Sequence, residues 1–190
     1  KYRIDAALKS RFPKRVVPST DASGHGTAVA AIAAAGGRLA DGRYQGVAPE
    51  SELLIVKMGT PRPDSFPKTT ELMRAVTYAV KKAVELGRPL AINLSFGNTY
   101  GSHDGTSLVE RFLDNAAEIG RCVVCVGSGN EGAAGGHVSG SFGPDAERAD
   151  MRRIELSVGN YQTSFSVQFW KEYVDILGIY LICPGGRRTN

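Results

Sequence analysis

The middle of the chain shows apolar positions in two alternating patterns. From about Thr70 to Leu86 they recur every three or four residues, which predicts an amphipathic helix ending at Gly87. The apolar runs at residues 90–94 and 122–126 have the length of strands, and a second helix is predicted between them, beginning near Ser107. Apolar strands that alternate with amphipathic helices favour parallel βαβ units covered on both faces. We therefore expect an α/β fold with a doubly wound parallel sheet.

Local signals support these elements and suggest others. Ser107 and Glu110 match the S-x-x-E capping box, and Gly120 follows the last apolar turn of the second helix. Upstream, the apolar run from Leu53 to Lys57 predicts a further short strand. The stretch that ends near Pro18 carries weak signals, so we expect an irregular or short helical lead-in.

The pattern changes after residue 126. Residues 127–144 are rich in glycine and serine and predict a loop. Three runs then alternate with period two and have no helix between them, which predicts an antiparallel β segment; they cover residues 154–158, 164–170 and 176–182. We divide the chain into an α/β core over residues 1–144 and an antiparallel unit over residues 145–190. Three uncovered strands would not be stable alone, so this unit is truncated or packs on the core.

Composition narrows the choice of function only a little. The 190 residues carry a net charge of +4, and the scattered basic residues argue against a nucleic-acid partner. No apolar run approaches a membrane span and no signal-peptide pattern opens the chain, so we expect no membrane partner. Cys122 and Cys125 form a C-x-x-C motif inside a predicted strand, where side chains three apart point to opposite faces. We expect two small buried thiols rather than a metal or redox site.

One stretch stands out for its chemistry. In Gly24-His25-Gly26-Thr27 a histidine between glycines opens an alanine-rich helix. A histidine that acts as a general base needs a fixed ring and an exposed nitrogen, and flanking glycines let a substrate backbone approach. Taken alone, His25 would more simply be a capping or surface residue.

Other blocks favour the catalytic interpretation. Together with residues 21–27, three blocks resemble the subtilisin-like serine proteases (subtilases, peptidase family S8) over about residues 20–135; they are Gly46-Val47-Ala48-Pro49-Glu50, Ile92-Asn93-Leu94-Ser95-Phe96-Gly97 and Gly127-Ser128-Gly129-Asn130-Glu131-Gly132. The resemblance implies that His25 is the general base and that Asn130 is the side-chain donor of the oxyanion hole. It also implies that a peptide or protein substrate adds as a strand along Ser95, Phe96 and Gly97. Gly127, Ser128 and Gly129 would line the pocket for the residue before the cut.

The other two members of the catalytic triad are not found. The orienting aspartate should lie upstream, in Asp-Ser/Thr-Gly; Asp5 lacks that context, and Asp21 resembles the family's non-catalytic acid. The serine nucleophile should follow Asn130 in Gly-Thr-Ser-Met-Ala-x-Pro, whereas Ser107 precedes it and is explained as a helix cap. We therefore expect an internal fragment that does not cut peptides alone.

A finer resemblance concerns one branch of the family. The chain is similar to a clostridial branch that includes the germination proteases of spores. The similarity lies in Ser95-Phe96-Gly97-Asn98, in His103 to Ser107 and in the β segment predicted after Asn130. That branch carries a jelly-roll insertion, which the runs from Ile154 to Ile182 resemble. The resemblance implies calcium as a cofactor, the protein's own propeptide as a further partner, and a secreted or spore-associated location. We assign no metal ligands.

Two other classes of function stay open. Some members of this branch are pseudoproteases, so the chain could belong to a catalytically dead domain that acts as a regulatory or binding scaffold. Residues 127–132 also match G-x-G-x-x-G directly after a strand, a dinucleotide-binding pattern, but residues 133–137 are a poor helix start. His103 and His137 lie in glycine-rich loops and lack the partner spacing of metal ligands, so we expect solvated side chains.

Overall fold

The computed structural model of the protein describes residues 2–58, 68–95, 97, 99–143 and 150–189. Within them it has five α-helices and two β-strands, with one short 3-10 helix at Arg38–Ala40. In chain order these are α1 (Tyr2–Leu8), α2 (Pro13–Val16), α3 (His25–Ala34), α4 (Thr69–Leu86), β1 (Leu90–Leu94), α5 (Leu108–Glu118) and β2 (Cys122–Val126). The lead-in is thus made of two short helices, as expected.

The two strands pair in parallel and are connected by α5. Leu90 lies opposite Cys122 at one end of the pair, and Leu94 lies opposite Val126 at the other. Together β1, α5 and β2 form one βαβ unit, which confirms the pairing predicted from the sequence. In the described part of the chain the sheet has two strands, so the wider doubly wound sheet stays a prediction.

The core lies between α4, α5 and one face of this sheet. Its buried centre is Val76, Val80 and Ala116, and Ile92 and Cys122 pack against it from the strands. Val76 is only 2% exposed.

No helix in the described part of the chain packs on the opposite face of the sheet, so cover on both faces stays a prediction. The side chains on that face are exposed; they are Ala91, Asn93, Val123 and Cys125. The two cysteines do point to opposite faces, but Cys125 is exposed and Cys122 is half-buried. The prediction that both thiols are buried is wrong, because the two helices that form the core both lie on the side of Cys122.

The ends of the two core helices follow the sequence signals. At the start of α5, the Glu110 backbone N–H donates to Ser107 Oγ at 3.4 Å, and the Ser107 N–H donates to Glu110 Oε2 at 3.0 Å. Gly87 ends α4 with a φ of 63°, in the left-handed region that favours glycine. The capping box and the terminal glycine are both confirmed.

Two other strand predictions are not met. Residues 53–57 form no strand, although Lys57 Nζ donates to the Thr20 carbonyl just before the histidine segment. Within residues 150–189 the ladder pairing is one antiparallel bridge, Ile182 to Arg188, around the turn at residues 183–186. Alternating apolar and polar residues are compatible with a strand, but a strand also needs a hydrogen-bonded neighbour. The antiparallel unit stays a prediction, and its boundary at 144/145 lies outside the described residues.

Candidate active site

His25 is the first residue of α3 and reaches the end of β1. Gly24 precedes it with a φ of 77°, a left-handed conformation that glycine adopts without strain. His25 Nε2 lies 3.0 Å from the backbone oxygen of Ser95, the residue directly after β1. Because a carbonyl only accepts hydrogen bonds, this contact puts the proton on Nε2 and leaves Nδ1 of the neutral ring unprotonated. The exposed imidazole is thus held in place and keeps one nitrogen able to accept a proton.

Asp21 orders the loop that leads into α3. Its Oδ1 accepts the Gly24 N–H at 2.9 Å, and its Oδ2 accepts the hydroxyl and the backbone N–H of Thr27 at 2.7 and 2.8 Å. The Thr27 hydroxyl, followed by the Thr27 N–H, lowers the pKa of Asp21 well below its usual value. No hydrogen bond joins this carboxylate to the His25 ring. Its contacts are those of a residue that positions the helix start.

The block at residues 46–48 pairs with the other end of α3. The last carbonyls of a helix have no partner within the helix. The N–H groups of this block donate to carbonyls at this end at 2.8–3.0 Å; Gly46 bonds to Ala35, Val47 to Ile32 and Ala48 to Ala33. A Cβ at position 46 would lie 2.5 Å from the backbone nitrogen of Ala34, so this close approach requires glycine. The first two blocks of the family resemblance therefore fix the two ends of one helix.

The carboxyl ends of the two strands form the edge where the other predicted site residues begin. The Gly127 N–H donates to the Leu94 carbonyl at 3.1 Å, so the segments after β1 and β2 start side by side. His25 contacts this edge through Ser95. Ser128, Gly129 and Asn130 continue from Gly127 as an exposed loop, in which Gly129 has a φ of 90°.

The remaining site predictions are only partly placed. Gly97 is exposed, whereas Phe96 lies outside the described residues. The Asn130 side chain makes no hydrogen bond with any residue that the structure describes, including His25. The edge of the sheet thus brings His25, Ser95 and Gly127 together, and the convergence of Asn130 on His25 stays a prediction.

Asn93 is a site residue to which the sequence analysis gave no role. Its Nδ2 donates to Ser95 Oγ at 2.8 Å, so it fixes the side chain of the residue whose carbonyl holds His25. The signal was a polar residue at an alternate position of an otherwise apolar strand. Such a residue points away from the core, and here it lies next to the predicted substrate edge.

Among the described residues, the other candidate features of the chain add no residue to this site. Residues 127–143 contain no helix, and a dinucleotide-binding glycine loop needs one directly after it. Over the described ranges no group of three metal-binding side chains is found, and no helix is both long and apolar enough to cross a membrane. A cavity of about 610 Å³ lies beside Ala34 and Tyr44, at the end of α3 away from His25.

Comparison with known proteins assigns the chain to a family. A sequence model of the subtilase family, peptidase S8, matches residues 9–173. The chain belongs to the subtilase family. This subtilase is also similar to a solved structure of the Clostridium perfringens CspB protease, with 39% sequence identity and a TM-score of 0.66. The match covers 73% of this subtilase and 30% of the CspB protease chain, so it spans less than a third of that protein. The predicted family and its clostridial affinity are confirmed.

Proposed function

We propose that this subtilase chain is the central part of a serine endopeptidase that hydrolyses peptide bonds through an acyl-enzyme. His25 is the general base and Asn130 the oxyanion donor, while the aspartate and serine of the triad lie outside these 190 residues. The observation that carries the proposal is the 3.0 Å contact between His25 Nε2 and the Ser95 backbone at the carboxyl edge of the sheet. It holds the imidazole beside the segment on which a substrate strand would lie.

The chemistry needs a proton acceptor with a fixed ring. The serine oxygen attacks the peptide carbonyl carbon while His25 takes the hydroxyl proton, which it then gives to the leaving amine. Water repeats the sequence to release the acyl group. Contacts at both ends of α3 keep the imidazole at the edge of the sheet. In the longer protein the upstream aspartate would accept one ring N–H in place of the Ser95 carbonyl, which leaves the other nitrogen for the serine proton.

Asn130 supplies the charge stabilisation in this proposal. Its amide makes no hydrogen bond with the described residues, so Nδ2 is free to donate to the oxygen that becomes negative during attack. A single donor of this kind contributes about 2.7–4 kcal/mol to the transition state. The loop of Gly127, Ser128 and Gly129 that carries it would also line the pocket for the residue before the cut.

The substrate would be a peptide or protein in an extended conformation. An added strand is held by main-chain hydrogen bonds, and the segment from Ser95 to Gly97 is the edge at which such bonds would form. The propeptide of the same protein would occupy this edge in the same way before it is released. Substrate addition here also explains why Asn93 fixes the Ser95 side chain.

A fluorophosphonate probe tests the proposal, because it reacts only with an activated serine. The experiment uses the longer protein that carries this chain. We expect the wild type to be labelled and the His25→Ala variant not to be labelled. The Asn130→Ala variant should be labelled at a rate roughly 10²–10³-fold lower than the wild type. The matched controls His137→Ala and Asn160→Ala change exposed residues outside the site and should label like the wild type.

Each other outcome has a definite meaning. A folded wild-type protein that takes no label is a catalytically dead scaffold, and the proposal is then wrong. If the His25→Ala variant is still labelled, His25 is not the base that activates the serine, and the role assigned to it is wrong.

A further inference from the structure

Asn93 puts an amide on an otherwise apolar face of the sheet. Its neighbours on this exposed face are Ala91, Val123 and Cys125, and Cys125 is its partner in the register of the two strands. Asparagine is depleted in β-strands, so its presence in this one is unfavourable unless the amide has a further role. Because side chains two positions apart along a strand lie on the same face, Asn93 and Ser95 are neighbours there.

Ser95 lies just past the paired part of β1. The Gly127 N–H donates to the Leu94 carbonyl at 3.1 Å at the end of the ladder. Beyond it, the hydrogen bonds of Ser95 with described residues involve its side chain and its carbonyl. Ser95 Oγ accepts from Asn93 Nδ2 at 2.8 Å, and the carbonyl oxygen lies 3.0 Å from His25 Nε2. The Asn93 amide is therefore the contact that ties Ser95 back to the strand.

This hydrogen bond restrains more than a side chain. The amide nitrogen of asparagine can only donate, so Ser95 Oγ is the acceptor and the rotation of the Ser95 side chain is fixed. The peptide before Ser95 is already held by the ladder through Leu94. With the residue held at both points, its carbonyl is presented in one direction.

We infer that Asn93 is a positioning residue, which sets the direction of the Ser95 carbonyl through the Ser95 side chain. In this structure that carbonyl accepts the His25 N–H. In the longer protein, where the aspartate accepts the ring N–H instead, the same carbonyl is available to a main-chain N–H of the substrate. This second role rests on the proposed function, whereas the first does not.

NMR of the His25 ring nitrogens in the 190-residue chain tests the first role without any protease activity. In the wild type the hydrogen bond to Ser95 keeps the neutral ring in one tautomer, so the two nitrogens give well-separated signals. Asn93→Ala should let both tautomers form and bring the two signals closer together. Ser95→Ala keeps the carbonyl but removes Oγ, so it should act in the same way. In the double variant the effect should be no larger than in either single one.

The choice of variants separates this role from a general loss of structure. Asn93→Asp should keep the signals separated as in the wild type, because the Ser95 hydroxyl can donate to a carboxylate in the same place. Asn115→Ala is the matched control, since Asn115 is exposed on α5 and makes no hydrogen bond with described residues. Circular dichroism shows which variants fold, and Ser95→Ala decides if Asn93→Ala does not. Ring signals unchanged by Asn93→Ala, or a double variant whose effect is the sum of the two single effects, would overturn the proposal.

Peptide hydrolysis by the longer protein tests the second role. Losing a hydrogen bond that is equally strong in the ground state and the transition state raises KM and leaves kcat nearly unchanged. We expect Asn93→Ala to raise KM for an extended peptide about 3–10-fold, and Asn93→Asp to return it to within about twofold of the wild type. A wild-type protein that hydrolyses no peptide would contradict the proposed function, and the NMR experiment would still decide the role of Asn93. A lower kcat at unchanged KM would overturn the role in substrate binding.

Discussion

Replacing Val76 by alanine tests whether packing between α4, α5 and the sheet stabilises the fold. Val76 is 2% exposed and lies at the centre of the core, where Val80 and Ala116 are its buried neighbours. Val84 lies two turns further along the same helix and is 66% exposed. The same substitution at Val84 is therefore a control that differs mainly in burial.

The size of the effect follows from that burial. Alanine lacks two carbons of valine, and each buried carbon contributes about 0.8 kcal/mol, so the transfer loss is about 1.6 kcal/mol. The cavity left behind raises the total for Val76→Ala to about 2–3 kcal/mol. Val84→Ala should change the free energy of unfolding by no more than about 0.5 kcal/mol. Alanine favours helix by a similar few tenths of a kcal/mol at both positions, so this contribution cancels in the difference.

Urea unfolding followed by circular dichroism at 222 nm measures both variants. We expect Val76→Ala to be less stable than Val84→Ala by about 2 kcal/mol, or roughly 4–8 °C in melting temperature. A difference below about 0.5 kcal/mol would mean that α4 is not packed through Val76, and the arrangement of helices over β1 would be wrong.

Two further predictions concern the segments around the site. Gly46→Ala should lower the free energy of unfolding by about 1–3 kcal/mol in the same assay, because its Cβ meets the end of α3; Gly132→Ala, with nothing within 4 Å, should not. In an NMR titration the Asp104 carboxyl should titrate at about 2, and Thr106→Val should raise that pKa. Since the unfolded value is about 3.9, the stability that Asp104 contributes is complete above that pH and is lost as the pH falls through 2. Titration near 4 in the wild type would refute the hydrogen bonds assigned to Asp104.

The elements that the sequence predicted well are those that depend on local pattern. The helix α4 shows its apolar face every three or four residues, and Ser107 with Glu110 caps α5 within a single turn. The parallel pairing of β1 with β2 follows because a helix connects two apolar runs. Each of these signals lies within a few residues of the structure that it specifies.

The features that could not be predicted from the sequence depend on contacts between residues that are far apart along the chain. Residues 53–57 have strand composition, but whether they pair is decided by other parts of the chain. Cys125 is exposed because the helices of the core lie on the other face of the sheet. The contact between His103 and His137 spans two loops, and no local pattern records it.

The candidate site lies between these two cases. The family motifs identified His25 and Asn130, whereas the role of Asn93 and the contacts at both ends of α3 required coordinates. The resemblance predicts which side chains carry the chemistry. The structure adds how the backbone holds one of them, His25, at the edge of the sheet.

The most direct test of the central claim is a crystal structure of the proposed full-length protease with a peptide aldehyde bound. The aldehyde forms a tetrahedral adduct with the serine, and its oxygen takes the place of the oxyanion. The account predicts Asn130 Nδ2 about 2.7–3.1 Å from that oxygen, with His25 beside the serine oxygen and the peptide paired along residues 95–97. An adduct with Asn130 directed away from the oxyanion, or with His25 on another surface, would contradict it.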